Sequence, residues 1–154
     1  MGADLCGGGH DSIRVLVVDA LMAEYQDVRT KFWNDLKVQA WPPHAKLLAL
    51  FLLTNPQMNV LGLYQCTRKD AAFYTGLRGK RLEDAWQRLG QPPTDPFLEY
   101  DNTRGIVWIV KAFNYRLKSP KLISAAKSIL HCHGSSPLAK KIKEYYTDTL
   151  SKTK

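Results

Sequence analysis

Between Arg78 and Gln91 the chain reads RGKRLEDAWQRLGQ. Lys80, Arg81, Gln87 and Arg88 end in hydrogen-bond donors on long stems. Guanidinium and ammonium groups pair with phosphate oxygens and with the acceptor edge of guanine, and a primary amide matches adenine. At helical period Leu82, Ala85, Trp86 and Leu89 share one face, while Lys80, Arg81, Asp84, Gln87, Arg88 and Gln91 take the others. The stretch is expected to be a short helix with an anchored apolar stripe and a basic, amide-rich face, suited to a DNA major groove. The same pattern by itself also describes an ordinary amphipathic surface helix. Glu83 and Asp84 oppose the DNA reading, because on this face they would repel phosphates.

Other cations extend the candidate set. Arg68 and Lys69 open the preceding helical stretch, RKDAAFYTG, whose start in a helix-turn-helix approaches the phosphate backbone. Arg78 stands at the start of the basic helix. Arg104 is the one cation in the turn Asp101 to Gly105, where it would meet phosphates or a minor groove. The candidate DNA-binding residues are therefore Arg68, Lys69, Arg78, Lys80, Arg81, Gln87, Arg88 and Arg104.

The elements that must position them follow from periodicity and turn signals. Residues 22–41 carry Tyr25, Phe32, Trp33 and Trp41 and read as a strand or extended arm followed by a short helix, packed on the core. Pro42 and Pro43 open a helix, HAKLLALFLLTN, that stops before Pro56. It is apolar all round from Leu47 to Leu53, so it should be central and buried. VLGLY, residues 60–64, is strand-like. Thr67 and Asp70 have capping-box spacing at the head of the next helix. Thr75, Gly76 and Leu77 make a tight turn into the basic helix. PFLEY (96–100) and GIVWIVKAF (105–113) then form a hairpin, its second strand covered on both sides.

Helix, strand, helix, turn, helix, strand, strand is the element order of a winged helix. The fold class expected is mainly α with a small β-hairpin wing: a winged helix-turn-helix followed by two carboxy-terminal helices. The first of those starts at Pro120 with the stripe Leu122, Ile123, Ala126, Ile129 and Leu130. The second is capped by Ser136 with Pro137 in its first turn, and carries Leu138, Ile142, Tyr145 and Tyr146 on one side. These two could pack on the domain or pair with a second subunit. The expected organisation is an extension at 1–21, disordered or not native, with Met22 as a start; a DNA-binding domain at 22–113; and a helical extension at 114–150.

Charge narrows the partners. Twenty-two Lys and Arg against 14 Asp and Glu give +8. Removing residues 1–21, which hold one base and three acids, leaves 21 against 11, so the excess belongs to the body of the chain. Such a balance favours a polyanion: DNA, RNA or an anionic membrane surface. With 45% apolar and 23% charged residues the composition is that of a globular protein, which excludes wholesale disorder. No apolar run has the length of a membrane span, and residues 1–21 lack the basic start and long apolar region of a signal peptide. Three widely spaced cysteines are no disulfide framework and fit a reduced, cytoplasmic setting.

Catalytic patterns are missing. His131, Cys132 and His133 are sequence neighbours, which a helix points about 100° apart, so they cannot converge on one ion. Cys66, His44 and His10 have no zinc-ligand spacing. Gly7, Gly8 and Gly9 lack the Lys and Ser or Thr of a phosphate loop, and no nucleophile–base pairing can be argued. The expectation is no enzyme, no cofactor and no metal.

The run YQDVRTKFWNDLKVQAWPPHAKLLALFLLTNPQMNVLGLYQCTRKDAAFYTGL resembles the amino-terminal winged-helix domain of phage and prophage replication proteins, the replisome organisers or DnaD-like initiators. The resemblance rests on Phe32-Trp33 followed by Asp35, on the proline-opened helix ending in LLTNP, and on Gly62-Leu63-Tyr64. FNYRLKSPKLISAAKSIL and SSPLAKKIKEYY are similar to the family's helical continuation. Order and spacing from Met22 to Asp148 carry it, not one diagnostic motif. It implies binding to origin DNA during phage or prophage replication. A helicase-recruiting part, which many such proteins carry further on, is expected to be lacking here. The chain departs from the pattern in the proline-rich loop GQPPTDP and in Arg78-Gly79 where a Ser or Thr cap is usual. The expected partners are double-stranded DNA, replication proteins such as a helicase loader, and a second copy of the chain in a homodimer, with no membrane. The alternatives are a protein-interaction module for replisome assembly and a winged-helix transcriptional regulator.

Overall fold

A proline-opened helix, α3 (Pro43–Thr54), lies at the centre of the amino-terminal half. In this computed structural model residues 25–115 and 119–151 are described. The expected extension at 1–21 lies outside them. Pro42 takes the extended N-cap conformation, and Asn55 ends the helix in extended backbone, as a residue before proline prefers. Ala45, Leu48, Ala49 and Leu52 are fully buried. Leu47 is 43% exposed, which corrects the expectation of burial all round: a helix packed on one side by the two helices that follow it cannot hide its far face.

Before it come two short helices, α1 (Lys31–Asn34) and α2 (Leu36–Ala40). Residues 25–29 take no regular structure. Trp41 and Val38 are buried and Phe32 packs on the core, but Tyr25 and Trp33 are exposed. The aromatics of this segment thus divide between core and surface.

After α3, Asn59 organises the turn. Its side chain accepts from the backbone N–H groups of Leu61 and Leu63 and donates to the Leu63 carbonyl. Gly62 follows at φ +70°, and its carbonyl accepts from Ile109 N at 2.8 Å. A Cβ here would stand 2.8 Å from Ala112 Cβ and 3.1 Å from the Ile109 carbonyl oxygen. Gly62→Ala therefore combines left-handed backbone strain with a clash against another strand. It should destabilise the fold by about 2–4 kcal/mol, read as a drop in the urea midpoint at unchanged m-value.

Strand β1 (Leu63–Gln65) leads into α4 (Arg68–Thr75) and then α5 (Gly79–Leu89); the hairpin β2 (Leu98–Asp101) and β3 (Ile106–Ile109) follows. The sheet is antiparallel with order β1-β3-β2. Trp108 pairs with Leu63 on one side and Glu99 on the other. All four β3 residues are buried, because the sheet is covered on both faces. Strand alternation sends Val107 and Ile109 to a core with Leu48, Leu52, Trp86 and Leu89, and sends Ile106 and Trp108 to a second core with Ile123, Leu130 and Ile142.

The second core is built by α6 (Pro120–Cys132), α7 (Pro137–Tyr145) and the short α8 (Thr147–Ser151), after a 3₁₀ turn at Ala112–Tyr115. Tyr146 donates its hydroxyl to the Val110 carbonyl at 3.0 Å. Ser136 caps α7 as expected and also donates to Asp101. The carboxy-terminal helices thus spend their apolar stripes on the back of the sheet. The protein is mainly helical, with eight α-helices and one three-stranded sheet among the described residues. No helix among them is long and apolar enough to cross a membrane. Cys66 is free and buried.

Candidate nucleic-acid interface

The capping box at α4 forms as its spacing implies. Thr67 Oγ1 accepts from Asp70 N, and Thr67 N donates to Asp70 Oδ2 at 2.8 Å. Such a cap is worth about 1 kcal/mol. Gly76 ends the helix in the left-handed region at φ +77°, its N–H donating to Ala72 O at 2.9 Å. Leu77 and Arg78 then turn the chain into α5.

On α5 the buried residues are Leu82, Ala85, Trp86 and Leu89, the four of the expected stripe. Lys80, Gln87 and Asp84 therefore point away from the core, flanked by Arg81 and Arg88 on one side and Glu83 on the other. Arg78 is the N-cap residue and supplies no side-chain cap. The first amides of α5 have no side-chain acceptor there, which with the helix dipole makes this end favourable to an anion.

The candidate residues fall into two groups. Lys69, Arg78, Lys80 and Arg81 are exposed, and their side chains make no hydrogen bond or ion pair with the described residues. They cluster around the start of α4 and the turn into α5. Gln87 is likewise exposed, two turns along the outward face. These are the groups that sequence and structure together leave available.

Arg68, Arg88 and Arg104 are committed elsewhere. The Arg68 guanidinium lies 4.2 Å from the Trp86 ring centroid and 4.7 Å from that of Tyr100. It also donates to Glu83 Oε1 at 3.2 Å and Asn102 Oδ1 at 2.7 Å. One side chain thus ties α4, α5 and the hairpin turn together. Arg104 donates to Asp101 at 3.1 Å, within its own turn. Arg88 donates to Asp84 at 2.8 Å, one helical turn back.

These pairs also answer the objection from the acids. Glu83 is bound by Arg68, and Asp84 by His44 and Arg88. Hydrogen bonds from His44 first and Arg88 second hold the Asp84 carboxyl below the usual carboxylate range. The Arg88–Asp84 pair is therefore intact at neutral pH and is lost as acid protonates the folded-state carboxyl. The negative charge on α5 is compensated within the protein, and the charge left over is positive.

The Asp84–Arg88 spacing of four residues was a readable signal. His44 on Asp84 and Arg68 on Glu83 had none, since 40 and 15 residues separate the partners. Among the described residues no group of three or more His, Cys, Asp or Glu could hold a metal ion. Two open clefts adjoin the site and the arm. One, of about 490 Å³, runs between the end of α5 and Lys141; the other, of about 450 Å³, lies beneath residues 26–38.

No protein-family model matches the chain, and no curated protein or solved structure matches it either.

Proposed function

We propose that this protein binds double-stranded DNA through a winged helix, as a binding protein of the phage or prophage replication type. The observation that carries the reading is the set of four cations, Lys69, Arg78, Lys80 and Arg81, unpaired among the described residues, around one helix-turn-helix whose carboxylates are already paired. The winged-helix assignment is supported by the element order and by the pairing of β1 with the far strand of the hairpin. In this reading α5 enters the major groove with Lys80 and Gln87 outward, Lys69 and Arg78 hold phosphates, and Arg68 and Arg104 shape the frame. The replication role rests on the resemblance described above. A helicase loader and a second copy of the chain are the protein partners proposed with it.

The test is the salt dependence of duplex binding. Four phosphate contacts should give log Kobs against log salt a slope of about −3 to −4, and cost about two orders of magnitude of affinity between roughly 50 and 200 mM. Weak binding that is flat with salt would overturn the proposal and favour a protein-interaction module.

A further inference from the structure

Phe73 and Tyr74, near the end of α4, are 81% and 60% exposed. Folding does not account for this. Phe73 makes its ring contact with Tyr74 alone among the described residues, edge to face at 5.1 Å. Tyr74 is braced from behind by Phe51 of α3, stacked at 5.4 Å with 21° between the planes. Phe51 is half-buried against the core, and Leu47, one turn earlier on α3, is exposed. The result is a shelf of apolar rings, rigid at its base and open at its edge. Adjacent exposed aromatics of this kind mark binding surfaces.

The charge around the shelf chooses the occupant. Lys69 lies one helical turn before Phe73, on the same side of α4, and Arg78 follows Tyr74 by four residues. Neither cation is paired with a described residue. The one acid of α4, Asp70, is engaged in the helix cap. An aromatic shelf edged by free cations, with no free carboxylate on its helix, is complementary to a polyanion that offers flat apolar faces. A duplex hides its base faces in the stack; unpaired bases expose them.

We propose that this shelf binds single-stranded DNA, with a base stacked on Phe73 and the backbone phosphates drawn to Lys69 and Arg78. The choice of DNA over RNA rests on the duplex-binding function proposed above; the stacking itself does not. The shelf shares Lys69 and Arg78 with the proposed duplex surface, but Phe73 lies outside it, so substitution of Phe73 separates the two activities.

The experiment uses the full chain, a labelled oligothymidylate of about 15 nucleotides, within the site sizes such surfaces occupy, and a labelled duplex, both read by fluorescence anisotropy. Phe73→Ala should weaken oligothymidylate binding about tenfold, leaving duplex affinity and melting temperature unchanged, and Phe73→Trp should restore it. Unchanged single-strand affinity in Phe73→Ala, or no binding of oligothymidylate by the wild type, would overturn the proposal. So would tighter, Phe73-dependent binding of oligouridylate, which would make the ligand RNA, or loss of self-association in Phe73→Ala by sedimentation, which would make the shelf a subunit contact. If duplex binding fails while Phe73-dependent single-strand binding persists, the winged-helix reading alone falls.

Discussion

Trp86→Ala is expected to cost about 3–5 kcal/mol of folding stability, the largest effect of any single substitution considered. Trp86 is 1% exposed and sits where α5, α3 and the hairpin meet. Its ring packs edge to face on Tyr100 at 5.8 Å and carries the Arg68 guanidinium on its face. Removing it opens a cavity and also takes away one of the two rings that hold Arg68, a contact worth about 1 kcal/mol or more when desolvated. Domains of this size are stable by about 5–15 kcal/mol, so the variant should unfold at low urea or fail to fold. Trp86→Phe is the informative companion. The indole N–H makes no hydrogen bond with the described residues, so phenylalanine forfeits volume but no donor pairing. It should lose less than the alanine variant. Equal losses for the two would mean that packing beneath α5 is not what holds this half of the fold.

The second large effect concerns affinity. Replacing Arg78, Lys80 and Arg81 together by alanine should reduce the magnitude of the duplex salt slope by about 3 and lower affinity at moderate salt by roughly two orders of magnitude. Stability should be unchanged, because these side chains are exposed and make no ion pair with the described residues. Arg88 and Asp84 sharpen the test. Asp84→Asn removes a negative charge from the outward face and releases Arg88 from its 2.8 Å pair, so duplex binding should tighten. Arg88→Ala should weaken it, by losing a cation and leaving Asp84 to His44 alone. If Asp84→Asn leaves affinity untouched while the triple variant lowers it, DNA contacts the start of α5 and the preceding turn but not the outward face of its second half.

Local features of this chain could be read directly because each depends on neighbours in sequence. The α5 stripe, the Thr67–Asp70 cap, the Ser136 cap and the proline-opened α3 are consequences of helical period and of backbone groups that must find partners within a few residues. The burial of β3 on both faces was also legible, since a strand with no polar face has nowhere to put one. Exposure of Leu47 and Trp33 was not legible, because an apolar side chain carries no mark of whether a partner lies opposite.

The interface divides along the same line. The amino-acid sequence determined by itself that α5 carries basic and amide side chains off its apolar stripe and that the chain has excess positive charge, and it named eight polar side chains as candidates for the proposed DNA contact. Tertiary structure alone decided which of them remain available. It placed Arg68 between Trp86 and Tyr100, set His44 against Asp84 across 40 residues, and left Lys69, Arg78, Lys80 and Arg81 without partners among the described residues. It also brought Phe51 behind Tyr74 to make the aromatic shelf. The physical reason is range. A helix face is set by rotation about one axis, whereas the neutralisation of a charge or the bracing of a ring depends on which distant segment packs within a few ångströms of it.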